Sequence, residues 1–168
     1  LKGRLITYDL QIKSVKNINL RIKADRTIFV SANPGVSEQT IEEFPDLWNA
    51  YNNLALAYFY IGEAEQARAL LYKVLRENKG NLHALCNLAV FAYYDKNVEE
   101  LESLLALLAK IQPYDWDNRY KLGATFALVG EYEQAYKWLR SMSKRGYEGD
   151  PGFYFWLAQS AYFSGHEQ

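Results

Sequence analysis

From residue 45 onwards, apolar residues recur with the period of an α-helix. Residues 51–58 place apolar side chains at positions i, i+3, i+4 and i+7, which lie on one face of a helix. The same spacing returns at residues 67–75, after the turn-forming Gly62. The pattern therefore predicts two consecutive helices, each with one apolar face, that are joined by a short turn.

This pair of helices recurs at a constant interval along the chain. The dipeptides that mark the first helix are Leu54-Ala55, Leu88-Ala89 and Leu122-Gly123, and a fourth copy follows one residue late as Leu157-Ala158. Because one helical hairpin cannot cover its own apolar face, neighbouring hairpins must stack. The sequence therefore predicts a solenoid with repeats at about 48–81, 82–115 and 116–149 and a partial repeat at 150–168.

The repeat resembles the tetratricopeptide repeat (TPR) family over about residues 46–168. The resemblance is carried by a Leu-Ala/Gly-x-x-Tyr/Phe string in the first helix, by glycine and then alanine at the hairpin, and by a proline at the repeat end. The second repeat departs from this pattern: Lys96 replaces the turn glycine, Ala92 the aromatic residue and Leu101 the small residue. The resemblance implies a module for protein–protein interaction, whose first helices line a concave face that binds peptide.

Ten residues are candidates for peptide contact when the groove positions of that family are carried over. They are Asn49, Asn52, Asn53, Leu56, Tyr60, Asn87, Val90, Tyr94, Tyr120 and Lys121. An asparagine amide both donates and accepts hydrogen bonds, so it can pair with the backbone of an extended peptide. Tyrosine adds stiff contact area with a polar tip, although some of the 14 tyrosines must instead pack between repeats. The first helices of repeats 1, 2 and 4 carry almost no charge, so we expect a neutral or apolar peptide segment as the ligand.

Residues 5–32 follow a different pattern, in which apolar and polar side chains alternate. The alternation is visible at residues 8–12, 18–22 and 28–30, and it includes several β-branched side chains. A period of two with such residues is typical of β-strands. The segment therefore predicts a three-stranded antiparallel meander with one apolar face.

A short helix is expected between this meander and the repeats. Pro34 interrupts the chain, and Ser37 can then cap a helix that ends at Phe44. The expected fold is thus mainly α. It consists of a TPR-type helical-hairpin solenoid of about 3.5 repeats at residues 45–168, preceded by a β-meander plus short helix at residues 1–44.

Residues 5–44 resemble the N-terminal segment of the YgjP-like family of zinc-metallopeptidase-like hydrolases. The residues that carry this resemblance are Tyr8, Ser14, Ile18, Leu20, Arg21, Ile22, Asp25, Val30, Ala32, Pro34, Ser37, Ile41 and Phe44. In that family the metal lies in a later His-Glu-x-x-His helix, where two histidines one turn apart bind zinc. His83 and His166 lie far apart in the sequence and neither begins this motif, so no catalytic residue is carried over. The resemblance leaves the alternative that the chain is a non-catalytic fragment of a metallopeptidase-like hydrolase.

Composition and charge argue against several classes of function. The 168-residue chain is 49% apolar with a net charge of −1, which suits a globular domain and gives no argument for nucleic-acid binding. Its longest uncharged stretches, Leu47–Gly62 and Pro151–His166, are shorter than the roughly 18 residues that a membrane-spanning helix needs. One cysteine excludes an internal disulfide framework and favours a reducing, cytoplasmic setting. We expect no metal, no cofactor and no catalysis.

The last predicted helix lacks, in this sequence, the second helix of its repeat. We expect its apolar side, which includes Phe153, Trp156 and Leu157, to be bare. Because exposed apolar patches favour association, a homodimer through this end, or a role in self-assembly, is a further alternative.

Overall fold

The computed structural model of the chain describes residues 34–142 and 151–166, and the regular structure of these residues is helical throughout. Their eight helices are α1 (Pro34–Glu43), α2 (Trp48–Tyr60), α3 (Ala64–Glu77), α4 (Leu82–Tyr94), α5 (Val98–Leu108), α6 (Trp116–Leu128), α7 (Tyr132–Met142) and α8 (Pro151–Phe163). The helix pairs α2–α3, α4–α5 and α6–α7 lie within the three predicted repeats, as expected for a helical solenoid. The described residues divide into two compact units, one that ends at Ala84 and one that begins at Leu85.

The predicted fold class is wrong in its β part. No strand occurs among the described residues, of which 78% are helical. The predicted meander at residues 5–32 lies outside these residues. Alternation is a weak guide to fold because a strand is stable only when further strands or a packed helix support it. In the first unit it is a helix, α1, that packs against α2, where Tyr58 Oη donates a hydrogen bond to Glu38.

The predicted boundaries of the short helix are also shifted. The helix α1 begins at Pro34, three residues before the expected cap Ser37, and ends at Glu43. Proline is favoured in the first turn because the N–H that it lacks has no partner within a helix there, and its fixed φ is already helical. The proline that was expected to break the chain therefore starts the helix.

The hairpin turns share one backbone conformation. Their turn residues have positive φ angles: 89° at Gly62, 57° at Lys96, 89° at Gly130 and 74° at Gly165. In each turn the N–H of the next residue donates to the carbonyl five residues earlier, at 2.8 to 2.9 Å. Glycine adopts this left-handed conformation without penalty, whereas Lys96 carries a Cβ atom that opposes it. The turn in the second repeat is therefore formed against the local preference of its residue.

Side-chain caps set where three of the later helices begin. Asn81 Oδ1 accepts from Ala84 N at 3.0 Å at the start of α4. Asn97 and Asp115 do the same for α5 and α6, at 3.2 and 2.9 Å. Each cap satisfies one of the N–H groups that have no partner within a helix. These polar residues therefore fix the register of each helix against the preceding turn.

The first and second helices of the third repeat are in close contact at Gly123. A Cβ atom on Gly123 would lie 2.8 Å from Leu139 Cγ and 2.9 Å from its Cδ2. The same repeat position holds Ala55 and Ala89, both fully buried. Small residues at this position therefore let the two helices of a hairpin come together.

Valine at Gly123 would displace Leu139 and open the contact between α6 and α7. Overpacking of this kind costs about 1–3 kcal/mol, so we expect Gly123→Val to lower the free energy of unfolding by about 2 kcal/mol. Urea denaturation followed by circular dichroism measures the change. Ala158→Val is the matched control, since Ala158 holds the same repeat position in α8 and is exposed. Equal losses in the two variants would contradict the explanation.

The left-handed turns allow a reciprocal exchange of residues. We expect Lys96→Gly to raise the free energy of unfolding by about 1 kcal/mol and Gly130→Lys to lower it by a similar amount, because only glycine avoids the Cβ penalty at positive φ. The same denaturation assay applies. A loss of stability in Lys96→Gly would show that the lysine side chain contributes more than its backbone strain removes.

Candidate functional site

A hydrogen bond between Asn87 and Lys121 links α4 to α6 in the second unit. Lys121 Nζ donates to Asn87 Oδ1 at 2.7 Å. The two residues hold the same position in successive repeats. Asn87 is only 1% exposed, whereas Lys121 is partly buried. The pair therefore lies where the core of this unit meets its surface.

Cys86 and Thr125 extend this pair into a buried polar cluster. Both side chains are buried, and Thr125 forms a side-chain hydrogen bond with Cys86. Burial raises the pKa of the Cys86 thiol, while the charge of Lys121 and the bond from Thr125 act in the opposite direction. Burial lowers the pKa of the Lys121 amine, and its interaction with Cys86 opposes that shift. Both shifts have the same cause, because burial disfavours whichever form is charged.

The surface of α4 beyond this cluster is aromatic and uncharged. Asn87, Val90 and Tyr94 follow the spacing i, i+3, i+7 and share one face of the helix. Val90 is partly buried, and Tyr94 is 58% exposed. The rings of Tyr93 and Tyr94 meet edge-on, with their centroids 5.7 Å apart. This face therefore offers apolar contact area together with hydrogen-bonding groups.

Tyr120 has a packing role in addition to its predicted position in the site. It is partly buried, and its ring centroid lies 6.3 Å from that of Phe153 in α8. The interaction joins α6 to α8, as expected for those tyrosines that pack between repeats. Tyr120 is also the neighbour of Lys121 in sequence, so it holds the helix segment that presents the lysine.

The exposed side of α8 is not the one that the sequence predicted. Phe153 was expected to be bare, but it is 1% exposed because it packs beside Tyr120. Trp156 and Leu157 are partly buried. The exposed large side chains of α8 are Tyr154, Phe155, Tyr162 and Phe163. Apolar residues occur all round this helix, so its composition alone could not distinguish the packed side from the exposed one.

In the first unit, four of the five predicted residues share one face of α2. Asn49, Asn53, Leu56 and Tyr60 follow a helical spacing, with Asn49 and Tyr60 exposed and the other two partly buried. Asn52 differs, because it is 3% exposed and its Nδ2 donates to Asn81 Oδ1 at 3.2 Å. Since Asn81 caps α4, Asn52 supports the start of that helix.

Sequence reasoning missed two residues on which these arrangements depend. Thr125 is a polar residue on the buried side of α6, and Asn81 directly precedes a helix. The cap position of Asn81 was a usable signal. The equivalent repeat positions of Asn87 and Lys121 were another, because such positions in neighbouring repeats are candidates for contact. Nothing in the sequence pairs Thr125 with Cys86.

Neither a metal cluster nor a membrane-spanning helix occurs in the part of the chain that the structure describes. No three His, Cys, Asp or Glu side chains at residues 34–142 and 151–166 are grouped so that they could hold a metal ion. No helix in these same ranges combines the length and the apolar character needed to cross a membrane.

The chain is similar to the TPR repeat-containing protein YvcD of Bacillus subtilis (strain 168), with 55% identity over 129 residues. These residues make up 77% of this chain but 27% of the relative, so the chain spans about a quarter of the length of the curated relative it matches. No family model matches the chain. No solved structure matches it.

The name of the relative and the helical hairpins of the chain agree with the TPR-type repeats that the sequence predicts. The resemblance of residues 5–44 to the YgjP-like metallopeptidase family is not shown by any of these comparisons.

The buried thiol of Cys86 predicts a loss of stability at alkaline pH. In the unfolded chain a thiol loses its proton near pH 9.0, whereas burial raises the pKa in the folded chain. Above that pH the folded state binds more protons than the unfolded state. The free energy of unfolding therefore falls, by up to about 1.4 kcal/mol per pH unit from this group.

We expect Cys86→Ala to remove this part of the decline above about pH 9.0, where the thiol ionises in the unfolded chain but burial keeps it protonated in the folded chain. Urea denaturation at a series of pH values gives the slope of the free energy of unfolding against pH for each protein. The unchanged chain and the Cys86→Ala variant both retain Lys121. Because the pKa of Lys121 is lowered in the folded chain, this residue makes the free energy of unfolding rise with pH. Identical slopes would mean that the thiol ionises alike in the folded and unfolded chains.

Proposed function

We propose that the chain is a non-catalytic interaction module that binds a neutral or apolar peptide segment on the first helices of its repeats. The observation that supports this most directly is the face of the second unit formed by Asn87, Val90, Tyr94 and Lys121. It combines a hydrogen-bonded polar pair, an uncharged helix and a half-exposed tyrosine. In the proposal the peptide lies along α4 and α6.

The polar pair supplies hydrogen bonds to the peptide backbone. A lysine amine has three donors, and Asn87 accepts from one of them at 2.7 Å. A carbonyl group of the bound peptide accepts from another. Burial disfavours the charged form of Lys121. A hydrogen-bond acceptor that a bound peptide brings to this amine therefore stabilises the charge more than the same acceptor would at an amine in open solvent.

The aromatic end of the face supplies the apolar part of the binding energy. Tyr94 is more than half exposed and next to Tyr93, so a peptide side chain can cover it. Tyrosine loses little conformational entropy on binding, because only two torsions are ordered. α4 carries no charged side chain, which favours a neutral peptide over a charged one.

The first unit offers a second set of contacts of the same kind. Asn49, Asn53, Leu56 and Tyr60 lie on one face of α2, which is also uncharged. In the proposal Asn53 is the residue of this unit that is equivalent to Asn87. The free thiol of Cys86 is buried, which agrees with the proposed reducing, cytoplasmic setting.

The test is a substitution of Tyr94, measured with a selected peptide. Panning a library of short random peptides against the whole chain gives a ligand whose dissociation constant is then measured by calorimetry. We expect Tyr94→Ala to weaken binding at least about tenfold, as is common for a central aromatic contact. Tyr114→Ala is the matched control, because Tyr114 is 92% exposed in the loop before α6.

The outcomes separate the proposal from binding elsewhere. Selected peptides that bind Tyr94→Ala and the unchanged chain equally would move the site away from α4. Selected peptides rich in Asp and Glu would contradict the proposed neutral ligand. Circular dichroism of each variant establishes that a loss of binding is not a loss of folding.

A further inference from the structure

Gln159 in α8 carries a buried oxygen atom that none of the described residues meets with a hydrogen-bond donor. This atom is Oε1 of the side-chain amide, and Gln159 as a whole is only partly buried. A buried acceptor that lacks a donor lowers the stability of a folded chain, so folded proteins keep few of them. A ligand that brings an N–H group to this oxygen would supply the missing hydrogen bond.

Gln159 holds a repeat position that stays accessible when both helices of a hairpin are present. Because the fourth repeat runs one residue late, the equivalent residues are Leu56 in α2, Val90 in α4 and Ala124 in α6. Leu56 and Ala124 are only partly buried, although α3 packs on α2 and α7 packs on α6. A second helix packed on α8 in the same way would therefore leave Gln159 open as well.

The position of Gln159 continues the peptide site proposed above. Its equivalent Val90 belongs to the face of α4 that forms this site, and Lys121 lies on the neighbouring helix α6. The helix α8 packs on α6, where the ring centroids of Tyr120 and Phe153 are 6.3 Å apart. Like α4, α8 carries no charged side chain. A peptide that lies along α4 and α6 and continues in the same direction therefore reaches α8.

Lys121 and Gln159 offer complementary hydrogen-bonding groups. A lysine amine only donates, whereas an amide oxygen only accepts. An extended peptide presents both free N–H and free C=O groups, whereas a helical peptide uses most of them internally. The last torsion of a glutamine side chain is soft, so Oε1 can turn towards a peptide without breaking a hydrogen bond at this oxygen. The two residues therefore fit an extended segment better than a helix.

We propose that the peptide site extends onto α8, where Gln159 Oε1 accepts a hydrogen bond from a backbone N–H of an extended peptide. A carbonyl group of the same peptide accepts from Lys121. This inference rests on the proposed function and adds the conformation of the ligand and a further binding residue. Because the bond needs a peptide N–H, proline is excluded at the peptide position that faces Gln159.

The first test measures stability without any peptide. Gln159→Met removes the amide but keeps an unbranched side chain of similar length, so an apolar group replaces the buried oxygen. Replacing an acceptor that lacks a donor is neutral or stabilising, and we therefore expect the urea midpoint of unfolding to stay the same or to rise. Gln134→Met is the matched control, because Gln134 is exposed in α7. A midpoint lower than that of the control would overturn the proposal, since the amide would then support the fold.

The second test measures binding of a peptide selected by panning against the whole chain. Calorimetry gives its dissociation constant for each variant. We expect Gln159→Met to weaken binding about fivefold, the usual effect of one lost hydrogen bond. We expect Gln134→Met to bind the peptide as the unchanged chain does. Lower affinity without lower stability is the combination that a purely structural role of the amide does not produce.

Peptides that are methylated at one backbone nitrogen at a time identify the bonded group. Each methyl group removes one N–H donor from the peptide. We expect one position at which methylation weakens binding to the unchanged chain about fivefold but has little effect on binding to Gln159→Met. Such non-additivity indicates a direct contact between the peptide N–H and the amide.

The outcomes distinguish this inference from the proposed function. Weaker binding by Tyr94→Ala together with normal binding by Gln159→Met would overturn the inference and leave the site on α4 and α6. Weaker binding by Gln159→Met together with normal binding by Tyr94→Ala would support the contact on α8 and contradict the site on α4. Methylated peptides that lose affinity equally for the unchanged chain and Gln159→Met would overturn the inference, and failure to select any peptide would overturn both.

Discussion

The architecture depends on how closely the two helices of each hairpin can approach at one repeat position. In the third repeat that position is Gly123, where no Cβ atom fits beside Leu139 without displacement. In the first and second repeats it is a fully buried alanine, Ala55 or Ala89. Close approach matters because dispersion contacts weaken steeply with distance and interior packing leaves little free volume. A small residue here allows the larger leucines and aromatic residues around it to fill the remaining space.

The turns and caps make that approach reproducible from one repeat to the next. A left-handed residue ends each first helix, and a hydrogen bond across five residues closes the turn. Asn81, Asn97 and Asp115 then set the first residues of the following helices. Lys96 shows how strongly the tertiary arrangement imposes this geometry, because a lysine adopts the conformation that glycine takes elsewhere. Local preference and tertiary packing conflict at this turn, and packing prevails.

Polar residues inside the second unit connect its structure to its proposed function. Asn87 and Lys121 join two helices through a hydrogen bond, and Cys86 and Thr125 lie behind them in the core. Buried polar groups stabilise a structure only when they find partners, so such a cluster favours one arrangement of α4 and α6 over others. A binding face gains from this, because its donors are already in position before a ligand arrives. In the proposed function, the uncharged surface of α4 favours a neutral ligand.

The sequence by itself determined the helical pairs, their order and the positions of their turns. These follow from the helical period of the apolar residues, from glycine at the turns and from the constant interval between repeats, all of which act through local geometry. The identity of the ten candidate residues also came from the sequence, by position in the repeat. The alternation at residues 5–32 was the weaker signal, and the β part of the fold class that rested on it was wrong.

Only the tertiary structure decided what each face packs against. It assigned Asn52 to the support of Asn81, paired Cys86 with Thr125, and placed Phe153 beside Tyr120 while leaving Tyr154 and Tyr162 exposed. The physical reason is that periodicity shows which residues share one side of a helix but not which side meets a neighbour. In α8, where apolar residues occur all round, that choice depends on contacts with residues of α6 and α7, which are distant along the chain.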